Sequence, residues 1–514
     1  MRILLTDDQS PLGRAIADAL RSDHELRMLP DARDRVATAE ALAGCDAAIQ
    51  IALPPIEVDA SSDALDRATR GTYNLLTALE PPAALPRLIL VRSLRPFVRY
   101  PAAWAVDEQW APRPTSDAAD LVPYLTELTL REVCRVRRTM GIVLRLGEVV
   151  DDAEIAARPV DTRWLHIDDA VQAVQQALTL PLAIDDTPGA RWRLFHIVDG
   201  GAGARFPQTA AAREELGYHP RHQVAGPGPV SEVPPAPETP LLTTGDGSTQ
   251  PRRVVIFGAG GPLGAIAAEA LAPDHLLRLT DVRPLADIAT APPQSPGAPL
   301  PRPFDPPHEN RVVDVTDPDQ VMGAVEGMDV VLNLTVMRRD PVEAFRVNLL
   351  GARHIMQAAV AHGLRRVVQT GPIQTILAHP AGYGADFHLA PDAPARPGDD
   401  LYFLSKFLGQ EVCRLFAEEY GIEVPCLLFG NFVDPGTPPP PGYVFYPFTL
   451  SWADAGTALR QGVRGPALPR PFAVMHPNAD LPHGQYPNDE AKRLLDWQPR
   501  DRLEAFWRRP EERA

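Results

Sequence analysis

The sequence predicts an α/β protein made of two tandem doubly wound parallel-sheet domains, each with a small C-terminal cap. Three observations predict it. Short β-branched runs alternate with amphipathic helical patterns along most of the 514 residues, as in a parallel sheet covered by helices. The chain restarts near residue 252, where "RRVVIFGAGGPLGAIAAEAL" repeats the plan of "MRILLTDDQSPLGRAIADAL". Further echoes keep their order through both halves, the mark of a duplicated domain.

These echoes are "GTYNLLTAL" at 71 against "GARHIMQAA" at 351, "REVCR" at 131 against "QEVCR" at 410, and "LRLGEVVDD" against "LLFGNFVDP". The expected organisation is a first domain over 1–221, a Pro/Gly-rich linker over 222–251 and a second domain over 252–510. The second copy is longer by one Pro-rich insertion, 284–311, which reads as a surface loop. Strands are expected at 253–257, 276–280, 311–314, 329–334, 366–370 and 424–428, with helices over 262–272, 318–327, 341–363 and 401–421. The irregular last segment of each copy is expected to cap the carboxyl ends of the strands, where ligands bind in such sheets.

Composition excludes several classes of partner. A net charge of −16 opposes nonspecific attraction to nucleic acid or anionic lipid. The four cysteines, Cys45, Cys134, Cys413 and Cys426, lack paired spacing and read as reduced thiols of a cytoplasmic protein. No signal-peptide core or membrane span is expected. His166 and His388 stand alone without ligand spacing, so no metal site is expected.

In the second copy Gly258, Gly261 and Gly264 form Gly-x-x-Gly-x-x-Gly between a strand and a helix. The first allows a tight turn, the second lets backbone approach a pyrophosphate, and the third lets helix and strand pack closely. Asp281, ending the second strand, is placed to accept hydrogen bonds from an adenosine ribose. Its charge favours NAD over NADP, and Arg283 keeps NADP open. Asp314 and Val315, after the third strand, are placed at the adenine, although an Asp there also serves as an ordinary turn residue.

Tyr402 and Lys406, four apart at the start of a long helix, share one face. A phenol with a pKa near 10 becomes a base when neighbouring cations stabilise the phenolate; bringing it to neutrality takes roughly 4 kcal/mol. The ammonium of Lys406 and the positive nicotinamide ring of a bound cofactor are the expected cations.

With these motifs the second copy resembles the extended short-chain dehydrogenase/reductase family, the NAD-dependent epimerases and dehydratases, over nearly all of 252–510. "NLLGARHIMQAA", "LYFLSKFLGQEVCRLFAEEYGIEV" and "LLDWQPRDRLEAF" carry the likeness, and the tyrosine helix resembles that of uronate dehydrogenases. The resemblance implies a Rossmann-like fold and a Tyr402–Lys406 pair that moves a proton while hydride passes between substrate carbon and NAD. It also implies a Ser or Thr after the fifth strand. Thr370 keeps that hydroxyl, whereas Gly371 and Pro372 stand where further serines are expected. Asn431, in "FGNFVDPG", resembles a substrate-contacting Asn; the Arg usual just upstream is replaced by Leu428.

The first copy resembles the same family but has lost its chemistry. Pro123 stands opposite Tyr402 and Glu127 opposite Lys406; Tyr124 is one residue out of register, and four residues beyond it stands Leu128. Asp7 and Ser10 replace the first two glycines of the loop, and only Gly13 remains. A carboxylate about 4 Å from a phosphate charge costs roughly 4 kcal/mol at an effective dielectric of 20. The loop is expected to be a retained fold element whose anion site is abandoned, with Asp7, Asp8 or Ser10 capping the helix.

The expected function is an NAD-dependent oxidoreductase or epimerase/dehydratase acting on a hydroxyl of a sugar-like small molecule. Self-association into a homo-oligomer is left open. The alternative is an NAD-binding sensor or scaffold without chemistry.

Overall fold

The computed structural model describes residues 1–53, 61–80, 83, 85–181, 191–226, 252–290, 297–376, 388–437 and 445–507. The chain forms two compact units, Met1–Ala236 and Pro237–Ala514. Residues 227–251 of the expected linker lie outside the described residues, while Val224 and Ala225 donate backbone hydrogen bonds to the buried Asp199 of the first unit.

The first unit contains β1 (Arg2–Leu5), α1 (Pro11–Leu20), β2 (Glu25–Met28), α2 (Arg35–Leu42), β3 (Ala47–Ala52), α3 (Ser61–Thr77), β4 (Arg87–Ser93) and α4 (Ala118–Val136). It continues with β5 (Met140–Leu146), β6 (Glu148–Val150), α5 (Asp152–Ala157), β7 (Trp164–His166), α6 (Ile167–Thr179) and β8 (Trp192–Ile197). Its main sheet is parallel throughout, in the order β2-β1-β3-β4-β5-β8.

The second unit contains β9 (Arg253–Phe257), α7 (Pro262–Leu271), β10 (Leu276–Asp281), α8 (Leu285–Ile288), β11 (Glu309–Val312), α9 (Pro318–Val325), β12 (Val330–Asn333), α10 (Pro341–Ala344) and α11 (Gly351–Ala361). It ends with β13 (Arg366–Pro372), α12 (Leu401–Tyr420), β14 (Val424–Phe429), β15 (Asn431–Val433), β16 (Thr449–Ser451), α13 (Trp452–Arg464), β17 (Phe472–Met475), α14 (Asp489–Leu495) and α15 (Glu504–Trp507). Its parallel sheet runs β11-β10-β9-β12-β13-β14-β17. The order reverses between β9 and β12, the switch point at which such sheets bind ligands beyond their strand ends.

Both halves are therefore doubly wound α/β units, as expected. Strands such as β14, VPCLLF, are covered on both sides and read as unbroken apolar runs. Small matching details recur as well. Arg87 opens β4 and bonds the carbonyls of Ala177 and Leu180; Arg366 opens β13 and bonds that of Pro466. Asp169 accepts from the backbone of Arg221 and His222, as Asp454 does from Arg500 and Asp501. Gly217 and Asp496 both take positive φ.

Three expectations are corrected. The insertion at 284–311 is not only a surface loop: it supplies α8, a buried Phe304 and most of edge strand β11, which has no counterpart in the first sheet. The closing segment is not only a cap, because α13 packs against the sheet and α7, and β17 joins the sheet. Its Pro-rich composition hid these elements. The helix expected over 341–363 is broken by a π turn, Phe345–Leu350.

The third glycine of each loop is fixed by packing. A Cβ at Gly264 would lie 2.5 Å from the Gly258 oxygen, and one at Gly13 would lie 2.3 Å from the Asp7 oxygen. Gly261 meets nothing nearer than 3.6 Å. Gly13→Ala and Gly264→Ala are each expected to lower unfolding free energy by about 1–3 kcal/mol, measured by urea denaturation, with Gly261→Ala within about 0.5 kcal/mol of wild type.

Candidate active site

The strand-to-helix turns after β1 and β9 differ in what meets their N–H groups. In the first unit Asp7 accepts from the backbone of Gln9 and Ser10 at 2.9 and 3.0 Å, and Ser10 Oγ accepts from Gly13 at 3.0 Å. The loop thus fills its own anion site, as its sequence predicts. In the second unit Gly261 is the N-cap of α7 and brings no side chain to the helix start. Gly258 takes φ +80°, and a Cβ there would lie 2.9 Å from Leu334 backbone. This glycine cradle, with uncapped donors at a helix N-terminus, fits a dinucleotide pyrophosphate.

Asp281 sits at the end of β10, and one carboxylate oxygen accepts from Gly260 at 2.9 Å. Burial pushes its carboxyl up, opposed by backbone N–H groups of Gly260, Arg283 and Val282. The carboxylate therefore stands against the glycine loop. Asp314 accepts from the backbone of Thr316 at 2.9 Å, a turn contact. Val315 is buried and packs over Gly351; its carbonyl oxygen lies 3.0 Å from His354 Nδ1.

Tyr402 and Lys406 lie on the first turns of α12, whose start is capped by Asp400. Lys406 is buried, and its Nζ donates to the Thr335 carbonyl at 3.1 Å. Burial pushes its ammonium down to about 8. The half-buried Tyr402 has a different cation beside it. The Arg338 guanidinium lies 5.1 Å from the centre of its ring. Burial raises the phenol's pKa, and Arg338 pulls against that rise. The Lys406 ammonium is directed to the loop after β12, and the cation over the phenol ring is that of Arg338.

That loop is held from two sides. Asn333 accepts from Thr335 through both backbone N–H and hydroxyl, and donates to Gln369. Asn348, inside the π turn, accepts from Met337 N–H and donates to Met337 carbonyl and to Ser405 on α12. The turn thus fixes the residue beside Arg338, a use common to π turns at functional sites. Arg338 carries no sequence signal, being a polar residue outside any periodic pattern, and Asn348, although inside the expected helix, has nothing in its spacing that marks this contact.

Thr370 is buried in β13, and its hydroxyl donates to the Asn333 carbonyl at 2.8 Å. Its proton is engaged within the sheet rather than toward Tyr402. Asn431 opens β15 and donates to Thr449 Oγ1 at 3.1 Å, joining the small β15–β16 ladder.

In the first unit the position of Lys406 is taken by Glu127, buried between Arg92 and Arg145. Burial would raise its carboxyl, but the two guanidinium groups hold it well below the ordinary range. Arg145 also lies 3.2 Å from Nε2 of His196, which burial and these arginines keep neutral. A cleft of about 900 Å³ opens beside this cluster's strands, lined by Asp7, Ser10, Leu53, Arg95, Glu148 and Arg163. It holds no Tyr–Lys pair. Among the described residues no helix is long and apolar enough to cross a membrane.

The lysine shift carries a stability consequence. The folded protein disfavours the proton on Lys406, so the penalty is full below about pH 8 and disappears as pH approaches the unfolded value of 10.5. In the cofactor-free protein, Lys406→Met is expected to raise stability by up to roughly 3 kcal/mol near neutral pH. That gain shrinks between pH 8 and 10.5, as followed by thermal melts of both proteins.

Comparison with known proteins finds relatives for the second half of the chain. The family model described as NAD dependent epimerase/dehydratase family matches residues 254–445. A uronate dehydrogenase of Agrobacterium fabrum is 30% identical over 260 residues, covering 50% of this chain and 88% of that protein. One of Pseudomonas syringae pv. tomato is 29% identical over 258 residues, covering 49% and 84%. The crystal structure of uronate dehydrogenase from Agrobacterium tumefaciens, 29% identical, covers 50% of this chain and 86% of that chain with a TM-score of 0.40. Through its second half, the chain belongs to the NAD-dependent epimerase/dehydratase family.

Proposed function

We propose that the second unit is an NAD-dependent dehydrogenase that oxidises a hydroxyl of a sugar acid, and that the first unit is a duplicated copy without chemistry. The observation that carries the reading is the open glycine loop at one end of the sheet together with Tyr402 under a guanidinium at the neighbouring helix start. The sugar acid is suggested by the uronate dehydrogenases among its relatives.

Gly258, Gly261 and the start of α7 would hold the pyrophosphate, Asp281 the adenosine ribose, and Val315 the adenine. NAD, when bound, supplies the hydride acceptor. Tyr402 Oη takes the proton of the substrate hydroxyl. For that the phenol must ionise in a site whose burial opposes it, and Arg338 provides the opposing charge. Lys406, anchored on Thr335, keeps a second cation in the pocket and presents its remaining N–H donors to a ribose. Asn431 lies beside β14 as a substrate contact.

Support for duplication is the shared strand order, the paired arginines at 87 and 366, and the paired carboxylates at 169 and 454. Support for inactivity of the first copy is the self-filled loop and the Glu127 cluster. A role in docking, in capping an active site or in holding a partner suits it. The sensor reading draws on one observation: Thr370 is engaged in the sheet, and Gly371 and Pro372 bring no hydroxyl.

The tests separate these readings. Calorimetric titration is expected to find one NAD per chain; two equivalent sites would contradict the inactive first copy. Tyr402→Phe is expected to bind NAD nearly as tightly while losing NADH formation with uronates by at least about a hundredfold. Full activity in that variant would exclude the phenol as base, and no activity in either protein would favour the sensor. Arg338→Gln removes the cation that lowers the phenol's pKa, so the acid limb of kcat/KM is expected to move to higher pH. An unmoved limb would show that Arg338 does not tune Tyr402.

A further inference from the structure

The first unit brings together two histidines that the sequence keeps 56 residues apart. His166 ends β7 and caps α6, and His222 lies on the segment that follows the last described turn of the unit. Their rings stack with centroids 3.8 Å apart. Asp168 lies between their inner nitrogens: its Oδ2 is 3.8 Å from His166 Nδ1 and 4.0 Å from His222 Nε2. We propose that His166 Nδ1, His222 Nε2 and Asp168 hold a divalent first-row transition-metal ion, with zinc as the reference ion.

Three features of the cluster carry this assignment. The first is protonation. His166 Nδ1 accepts the Asp168 backbone N–H at 3.2 Å, so it is the bare nitrogen, and Nε2 carries the proton toward Asp152 at 3.4 Å. The carboxylate of Asp169, fully buried, lies 3.3 Å from the outer nitrogen of His222. Each imidazole thus has a carboxylate beside its outer nitrogen, the kind of second partner that orients metal-binding histidines, and rotation of the rings out of their stack would turn His166 Nδ1 and His222 Nε2 toward one ion.

The second is reach. One donor atom from each of the three residues can be chosen so that all lie within 4.8 Å of one another. Around a tetrahedral zinc ion, donors at about 2.0–2.1 Å from the metal stand about 3.3 Å from each other. Asp168 is two-thirds exposed and His222 about one-third exposed, so both can close the difference. Binding would replace the long capping bond at His166 Nδ1. Two imidazoles with one carboxylate suit zinc and its neighbours better than calcium or magnesium.

The third is that the fold does not require these residues. The matching corner of the second unit has Ser451 as helix cap, Ala453 two residues on, and Asp501 after Arg500, while the buried carboxylate of Asp454 makes the same backbone contacts as Asp169. That corner folds without a ligand set. In the first unit the ion would tie the segment carrying His222 to the start of α6.

The test uses the full chain, stripped with a chelator and exchanged into metal-free buffer. Zinc uptake is measured by competition with a chromogenic chelator, and cobalt(II) is added separately to read its visible ligand-field bands. The wild type is expected to take one zinc per chain, to give cobalt bands of reduced symmetry, and to melt at higher temperature with zinc. His166→Ser, which restores the capping residue used at Ser451, Asp168→Asn and His222→Gln are each expected to lose that equivalent and the zinc-dependent rise in Tm. His362→Ala, at an exposed histidine of the second unit, is expected to keep both. Asp168 is exposed, so its variant is expected to fold even where a histidine variant fails. No stoichiometric zinc in the wild type, or an undiminished equivalent in Asp168→Asn and His166→Ser, would overturn the assignment.

Discussion

The N–H groups at the start of the helix that follows the first strand need an acceptor, and each half of this protein meets that need differently. In the second half, glycine leaves the donors open to a ligand. In the first, Asp7 and Ser10 turn inward and occupy them. The remaining glycine is unaffected by this choice. Gly13 and Gly264 are both required because neighbouring backbone leaves no room for a Cβ. Packing therefore preserves one glycine of the motif in both halves; of the two that differ, Gly258 is held by its positive φ and the Leu334 backbone, and Gly261 alone has room beside it.

Charge burial divides the halves in a similar way. The second retains Lys406 as a desolvated cation bonded to a neutral carbonyl, an arrangement that costs stability at neutral pH. The first replaces it with a carboxylate between two guanidinium groups, which satisfies each charge and leaves none for a substrate. Removing one member of such a buried cluster is costly even where the complete cluster contributes modestly. The same helix position thus carries a cation bonded to a carbonyl in one half and an anion paired with two cations in the other.

Much of this was legible in the sequence. Repeated strand and helix patterns placed β9, β10, β12, β13 and β14 within a residue or two, and the helices α7, α9 and α12 equally well. Their long apolar runs and periodic faces are local signals. β17 and α13 escaped because their surroundings are rich in Pro and Gly, and β11, expected at 311–314, begins two residues earlier, inside the proline-rich insertion. At the site, the glycine loop and Tyr402–Lys406 pair could be read from spacing. Arg338 could not, since only the folded loop after β12 brings it over the ring. The direction of the Thr370 hydroxyl depends on register with β12, which spacing does not encode. His166 and His222 look solitary until the chain returns to α6.

The strand missing from the first sheet has an effect at the opposite side from the ligand. In the second half, β10 is interior, flanked by β9 and β11, and four of its six residues are buried. Its counterpart β2 forms the free border of the first sheet, and none of its four residues is fully covered. A border of this kind offers unpaired backbone groups to any passing strand. β2 is short and carries Glu25 and Arg27, with Glu25 bonded to Arg2. Brevity and charge at that rim oppose the addition of a neighbouring strand.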